Sequence, residues 1–157
     1  MRNIIYLFIV LLIIYSLCYF IFNNEIELLQ IEKNNLTMDL LIQKNPIIIQ
    51  NNIDLDFIKS IFKNNIINII KPNELWNRNN SKYVIIIPIT DTNIFISKPK
   101  KIKYEIPNKD EIIIDVKLKK NNSILLPFKW YYSLNNVDDV MAIGIHDYIT
   151  YLLKFIF

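Results

Sequence analysis

The chain has one glycine, one histidine and one cysteine in 157 residues. Each scarcity removes a class of chemistry. Glycine-rich phosphate loops need several glycines, so no P-loop or dinucleotide fingerprint is available. One histidine excludes a multi-histidine metal cage, and one cysteine excludes both an intramolecular disulfide framework and a cysteine-based zinc site. The net charge is only +3, from 18 Lys+Arg against 15 Asp+Glu, too small an excess to read as a nucleic-acid binder. What abounds is isoleucine (35), asparagine (21) and lysine (16). Their codons are AT-rich, so an AT-rich genome is expected, and Asn runs or Lys excess carry little functional weight. Asn-Asn pairs are expected to make turns in place of glycine, because Asn tolerates left-handed backbone angles.

Length fits one domain of about 150 residues. The hydrophobic share of 52% and mean hydropathy of +0.23 are high for a soluble domain, yet 21% charged is too polar for a multi-spanning bundle. Part of the apolar excess lies at one end. Residues 4–22 read IIYLFIVLLIIYSLCYFIF, without charge or proline. As a helix they would measure about 28 Å, close to the roughly 30 Å of bilayer hydrocarbon. A cleaved signal peptide would want a shorter core and a small-residue cleavage site. The run instead ends Tyr19-Phe20-Ile21-Phe22-Asn23-Asn24. The reading is an uncleaved transmembrane anchor over 1–24, contacting the lipid bilayer through 4–22, followed by a domain over 25–157. Arg2 before the span, with Glu25 and Glu27 after it, favours a cytoplasmic N-terminus and an exoplasmic domain. Cys18 within the span reads as an apolar filler.

After the anchor, Glu25–Glu32 suits a strand or a continued helix, Leu36–Ile42 a short helix, and 46–50 a short buried strand. Asp54 looks like a helix start before an apolar face of Leu55, Ile58, Ile61 and Phe62. Strands are expected at 68–71, 83–89, 94–97, 103–106, 112–118, 124–126 and 138–145. Pro88 marks 83–89 as an edge strand or a strand end. In 112–118 the residues Ile112, Ile114, Val116 and Leu118 share one face. Residues 146–157 close the chain as a helix. The expected class is α+β, a mainly β domain with a sandwich or barrel core and short helices.

Few residues invite a chemical reading. His146-Asp147 could pair as a base and its orienting carboxylate, but sequence neighbours point to different faces, and a structural role at a helix start is the simpler expectation. Lys98, Lys100, Lys101 and Lys103 form a basic cluster, extended in principle by Lys117, Lys119 and Lys120. A solvated face is the simpler reading there too. Sequons stand at Asn35, Asn79 and Asn121 and matter only in a glycosylating compartment.

The most informative stretch is Pro127-Phe128-Lys129-Trp130-Tyr131-Tyr132-Ser133-Leu134. With its flanking strands, residues 117–145 resemble the C-terminal half of cupin-like, JmjC-related proteins. There a strand ending in Ile-Pro leads to a Trp-Trp-His or Trp-Trp-Tyr turn and an aspartate-bearing bend. The order of features, including the early span and Asn45-Pro46-Ile47-Ile48-Ile49, is similar to the membrane-anchored cupin-like proteins of giant DNA viruses. That resemblance implies a reduced cupin-like β-sandwich. It also implies a lost metal site. Active members hold Fe(II) with a His-x-Asp/Glu pair and a later His; Tyr132 stands at the position of that last ligand, and the lone His146 follows the turn.

The function expected from these readings is a single-pass, catalytically degenerate structural or interaction module with an unidentified protein partner, in a virion or host internal membrane. No catalytic residues, metal or cofactor are expected. The alternative is a small-molecule binder, such as a sugar binder, or a non-iron enzyme, using the mouth of the sandwich, with Trp130, Tyr132, Asp138 and Asp139 as its lining. A third reading makes the anchor itself the assembly surface.

Overall fold

The structure, a computed structural model, describes residues 2–18, 26–98 and 106–153. The chain opens with helix α1 (Arg2–Cys18). Then follow β1 (Leu29–Glu32), a 3-10 turn (Lys33–Asn35), α2 (Met38–Ile42), β2 (Ile47–Gln50), α3 (Leu55–Ile61) and β3 (Ile66–Ile70). The remainder comprises β4 (Asn77–Arg78), β5 (Tyr83–Pro88), β6 (Thr92–Ser97), β7 (Ile113–Leu118), β8 (Ser123–Pro127), β9 (Tyr131–Leu134), β10 (Val140–His146) and α4 (Tyr148–Leu153). The class is α+β and mainly β, as the sequence implied.

Two sheets form, ordered β1-β2-β8-β5-β10-β3 and β4-β9-β6-β7. The last eight strands are one long antiparallel hairpin rolled on itself. β3 pairs with β10, β4 with β9, β5 with β8 and β6 with β7. β10 against β5 and β6 against β9 then close the roll. This is the jelly-roll arrangement, which disposes of most strand edges by folding one sheet over the other. β1, parallel to β2, extends the larger sheet beyond the roll.

The alternation of side chains explains why the larger sheet is so rich in isoleucine. Its inner residues Ile48, Val84, Ile86, Ile124, Leu126 and Ala142 meet Ile94, Ile96, Val116, Leu118, Tyr132 and Leu134 of the smaller sheet. Its other face, with Ile47, Ile49, Ile85, Leu125, Ile143 and Ile145, packs under Leu41, Ile58 and Phe62 from the helical segments. A strand buried on both faces reads as a continuous apolar run rather than an alternating one. The smaller sheet is covered less completely, so β7 keeps the exposed Asp115 and Lys117 opposite buried Val116 and Leu118.

Local signals hold in several places. Asp54 caps α3, accepting a hydrogen bond from the Phe57 amide at 2.7 Å, as expected of an N-cap carboxylate. Of the two readings of Pro88 the strand end holds: β5 is a central, buried strand between β8 and β10, and Pro88 is its last residue, opposite Val140, where the missing amide costs no interior rung. Other expectations need correcting. His146 ends β10 and does not begin a helix; Asp147 does that work, accepting from the Thr150 amide at 2.8 Å. The expected strand at 103–106 lies outside the described residues except for Ile106, which sits in a bend. Among described residues the non-glycine positions with positive φ are Lys44, Asn51 and Lys129. Most Asn-Asn pairs therefore turn with ordinary angles, as in the i to i+3 turns closed by the Asn65 and Asn122 amides, which need no left-handed residue.

The single glycine has a steric reason. A Cβ on Gly144, in mid-β10, would lie 2.5 Å from Ile70 Cδ1 and 2.7 Å from Ser81 Oγ. The isoleucine tip can swing aside, but Ser81 Oγ is held 3.2 Å from His146 Nε2.

The expected span is helical over Arg2–Cys18, and residues 19–22 lie outside the described ones. Ile9 through Tyr15, nearly two turns, are all exposed. Among the described residues, no helix is long and apolar enough to cross a membrane.

Candidate functional site

Three turns separated in sequence meet at one end of the roll: β5–β6, β7–β8 and β9–β10. They frame a cleft of about 520 Å³ lined mostly by polar residues. The turns are wired together. Asp91 accepts from the Lys120 amide at 2.8 Å, and the Ile89 amide donates to the Asp139 carbonyl at 2.7 Å. Asn136 Nδ2 donates to Asp139 Oδ2 at 2.5 Å, while its Oδ1 accepts from the Asp138 amide at 3.2 Å. The carboxylates of Asp91 and Asp139 share the lining with Lys117 and Lys119, and Thr90, Thr92, Asn93 and Asn135 add hydroxyls and amides. Groups of this kind can hold a small polar or zwitterionic molecule by charge and hydrogen bonds. It offers no histidine or thiol for acid–base or nucleophilic work.

The four residues expected at a sandwich mouth divide. Asp139 lines this cleft. Asp138 is its exposed neighbour. Trp130 and Tyr132 do not join them: they are 1% and 3% exposed, inside the core between the sheets. The pairing explains this, because Tyr132 stands opposite Ile96 and Asn77, on the same inward face as Ile94 and Leu134. Burial pushes the Tyr132 phenol up to about 12, so at neutral pH it is a protonated packing group. Asn77 is engaged locally, its Nδ2 donating to the carbonyls of Asn73 and Leu75 and its Oδ1 accepting from the Asn73 amide. Among the described residues, no three His, Cys, Asp or Glu side chains gather as a metal-holding group.

Ser81, His146 and Asp147 are the residue types of a hydrolytic triad, and two are in contact. Ser81 and His146 are 1% and 3% exposed, and neither lines a hollow described here. Asp147 accepts from Thr150 and Tyr15 and pairs with Lys82 at 3.4 Å. The buried Ser81–His146 contact joins the end of β10 to the approach of β5.

The basic cluster does not extend to Lys117 and Lys119. Lys98 follows β6 at the end away from the cleft, whereas Lys117 and Lys119 line the cleft itself. Five residues of strand, about 17 Å, separate the two ends. Lys100, Lys101 and Lys103 lie outside the described residues. Of the sequons, Asn35 and Asn121 are exposed while Asn79 is 2% exposed with its amide fully bonded.

Sequence reasoning passed over Lys129. It has a left-handed backbone (φ 67°) and is fully buried, its Nζ donating to Asn80 Oδ1 at 2.8 Å and lying 4.8 Å from the Phe128 ring. Burial, with Arg78 adding repulsion, pushes its ammonium down to about 8. The unfolded lysine holds its proton to about pH 10.4. Between pH 8 and 10 the unfolded chain therefore binds more protons, and stability rises with pH. The expected gain is about 2 kcal/mol across that window, ending near pH 10 as unfolded tyrosines begin to ionise. Urea unfolding at pH 7 to 10 checks it, and Lys129→Met is expected to flatten the rise.

A second hollow, apolar and about 210 Å³, lies at the opposite end of β5, lined by Tyr15, Met38, Leu41, Ile42, Lys44, Lys82 and Tyr83. Tyr83 donates to the Leu41 carbonyl at 3.1 Å. Burial, then the charge of Asp147 and then Tyr15, push its phenol up to about 12.

No protein-family model matches the chain, and no curated protein or solved structure matches it.

Proposed function

We propose that the chain is a membrane-anchored, catalytically degenerate cupin-like sandwich that serves as a structural or interaction module and holds its polar cleft away from the bilayer. The observation that carries the anchor is α1, which exposes Ile9, Val10, Leu11, Leu12, Ile13 and Ile14 in succession. Consecutive exposed residues cover every side of a helix, and an all-round apolar helix belongs in an apolar medium. The helix as described covers 17 residues, about 25 Å, and the apolar sequence continues through Phe22. Two features support the cupin-like reading: the rolled strand order, and Tyr132 on β9 where an iron-binding histidine would stand. α1 meets the domain at the Tyr83 end of β5, through Tyr15 bonded to Asp147 at 3.2 Å. The cleft lies past the Pro88 end, about 17 Å along the strand.

Placing Ile9→Lys and Ile13→Lys together in the full chain tests the anchor. Each lysine near the centre of a span costs about 2.5–3.5 kcal/mol of insertion. Membrane retention is expected to fall sharply while the unfolding transition of the domain is unchanged. Equal retention of the variant in carbonate-washed membranes would remove the anchor from the account.

The carboxylates and lysines that line the cleft favour a second reading, in which the module captures a small polar molecule such as a sugar or zwitterion. Titration of simple sugars and amino acids against labelled protein would show shifts confined to residues 90–93, 117–119 and 135–139, abolished in Asp91→Asn/Asp139→Asn. Shifts absent from those turns would remove this reading.

A further inference from the structure

We infer that the end of the domain carrying α2 and the start of α4 rests on the phospholipid headgroup layer of the membrane that α1 enters, an inference that depends on the anchor reading. Three surfaces converge at that end. On α2, Met38 and Ile42 are 56% and 71% exposed, and a spacing of four puts both on one face. At the start of α4, Tyr148 is 75% exposed. The last turn of α1 reaches the same place, since Tyr15 bonds Asp147, the residue before Tyr148, and lines the apolar hollow with Met38 and Ile42.

What covers these side chains follows from that junction. Tyr15 stands seven residues before the end of the apolar run at Phe22, so whatever touches it is held near the bilayer surface, and the headgroup zone there adds about 5–8 Å on each side of the core. The composition fits that zone. Tyrosine and lysine are the side chains that bridge hydrocarbon and water at a membrane surface, and Lys44 and Lys82 stand at the rim of the hollow. Lys82 is paired with Asp147, so the fit is to a headgroup layer rather than to a strongly acidic partner. α2 is too short to hold itself by helix propensity, and it leaves Met38 and Ile42 outside the core that Leu41 enters. Contact with lipid gives those two residues a medium that the domain does not.

The test uses the full chain in vesicles of phosphatidylcholine and phosphatidylglycerol at 4:1, with Cys18→Ser and a single nitroxide at Ile42→Cys or at Lys120→Cys beside the cleft. Collision with dissolved oxygen, which favours lipid, is compared with collision with a water-soluble nickel chelate. The oxygen-to-nickel ratio at position 42 is expected to exceed that at 120 at least threefold. Equal ratios, in vesicles that keep the protein through an alkaline wash, would overturn the inference and leave the anchor standing. Shielding of position 42 from both reagents would also overturn it, by showing a protein or a second copy on that face. Loss of the protein in the wash would instead remove the anchor reading, and this inference with it.

Discussion

Replacing Asn79 with alanine is expected to destabilise the domain by about 3–6 kcal/mol, enough to bring a domain of ordinary stability, roughly 5–15 kcal/mol, close to unfolding. Asn79 is 2% exposed and makes three side-chain bonds: Nδ2 to the carbonyls of Leu126 (3.0 Å) and Pro127 (2.8 Å), and Oδ1 from the Ser81 amide (2.8 Å). Its backbone adds two more, donating to the Trp130 carbonyl and accepting from the Lys129 amide. One residue thus ties the approach of β5 to the corner between β8 and β9. Alanine leaves a buried amide unpaired, at about 1–3 kcal/mol, and takes one bond from each of two buried carbonyls, at about 1–1.5 kcal/mol apiece. Asn79→Asp keeps the acceptor and loses the donors, so it should be nearly as harmful. Urea unfolding measures both; a loss under 1 kcal/mol for the alanine variant would mean that the corner is held by its backbone alone. The same bonds exclude a glycan at Asn79 in the folded domain.

Trp130→Ala is expected to cost about 3–5 kcal/mol, the usual penalty for deleting a large aromatic from a core. Trp130 is 1% exposed within the cluster that joins the sheets. Its indole Nε1 has no hydrogen-bond partner among the described residues, so Trp130→Phe removes volume without breaking a bond seen there and should cost distinctly less. A Trp130→Ala protein of native stability would contradict its place in the core and return it to the mouth of the sandwich. The pair of variants separates packing from recognition, because only packing grades with volume.

Much of the domain was legible from short-range signals. Asp54 announced a cap, the strand expected at 112–118 forms over Ile113–Leu118 with Ile112 exposed and outside it, and 46–50 read as a buried strand by length and branching. β9 and β4 were not legible. Tyr131–Leu134 reads as an aromatic turn, since a four-residue strand gives almost no period, and Asn77–Arg78 is two residues long. The site was harder still. Its walls are turns at 90–93, 117–119 and 135–139, which only the rolling of the hairpin brings together. Asp139 could be suspected because it borders an aromatic turn in sequence. Asp91 and Asn93 carried no signal beyond that of turn formers. Trp130 and Tyr132 were misplaced for the converse reason: nearness in sequence to the mouth says nothing about which face a strand residue takes, and a shift of one residue decides it.

The central claim is that α1 lies in a bilayer and the sandwich stands on it. Alkaline carbonate extraction of membranes from cells making the full chain tests this most directly, because it strips peripheral proteins and leaves integral ones. The protein is expected to stay in the membrane pellet and to leave it only with detergent. Recovery of folded protein in the carbonate supernatant would contradict it.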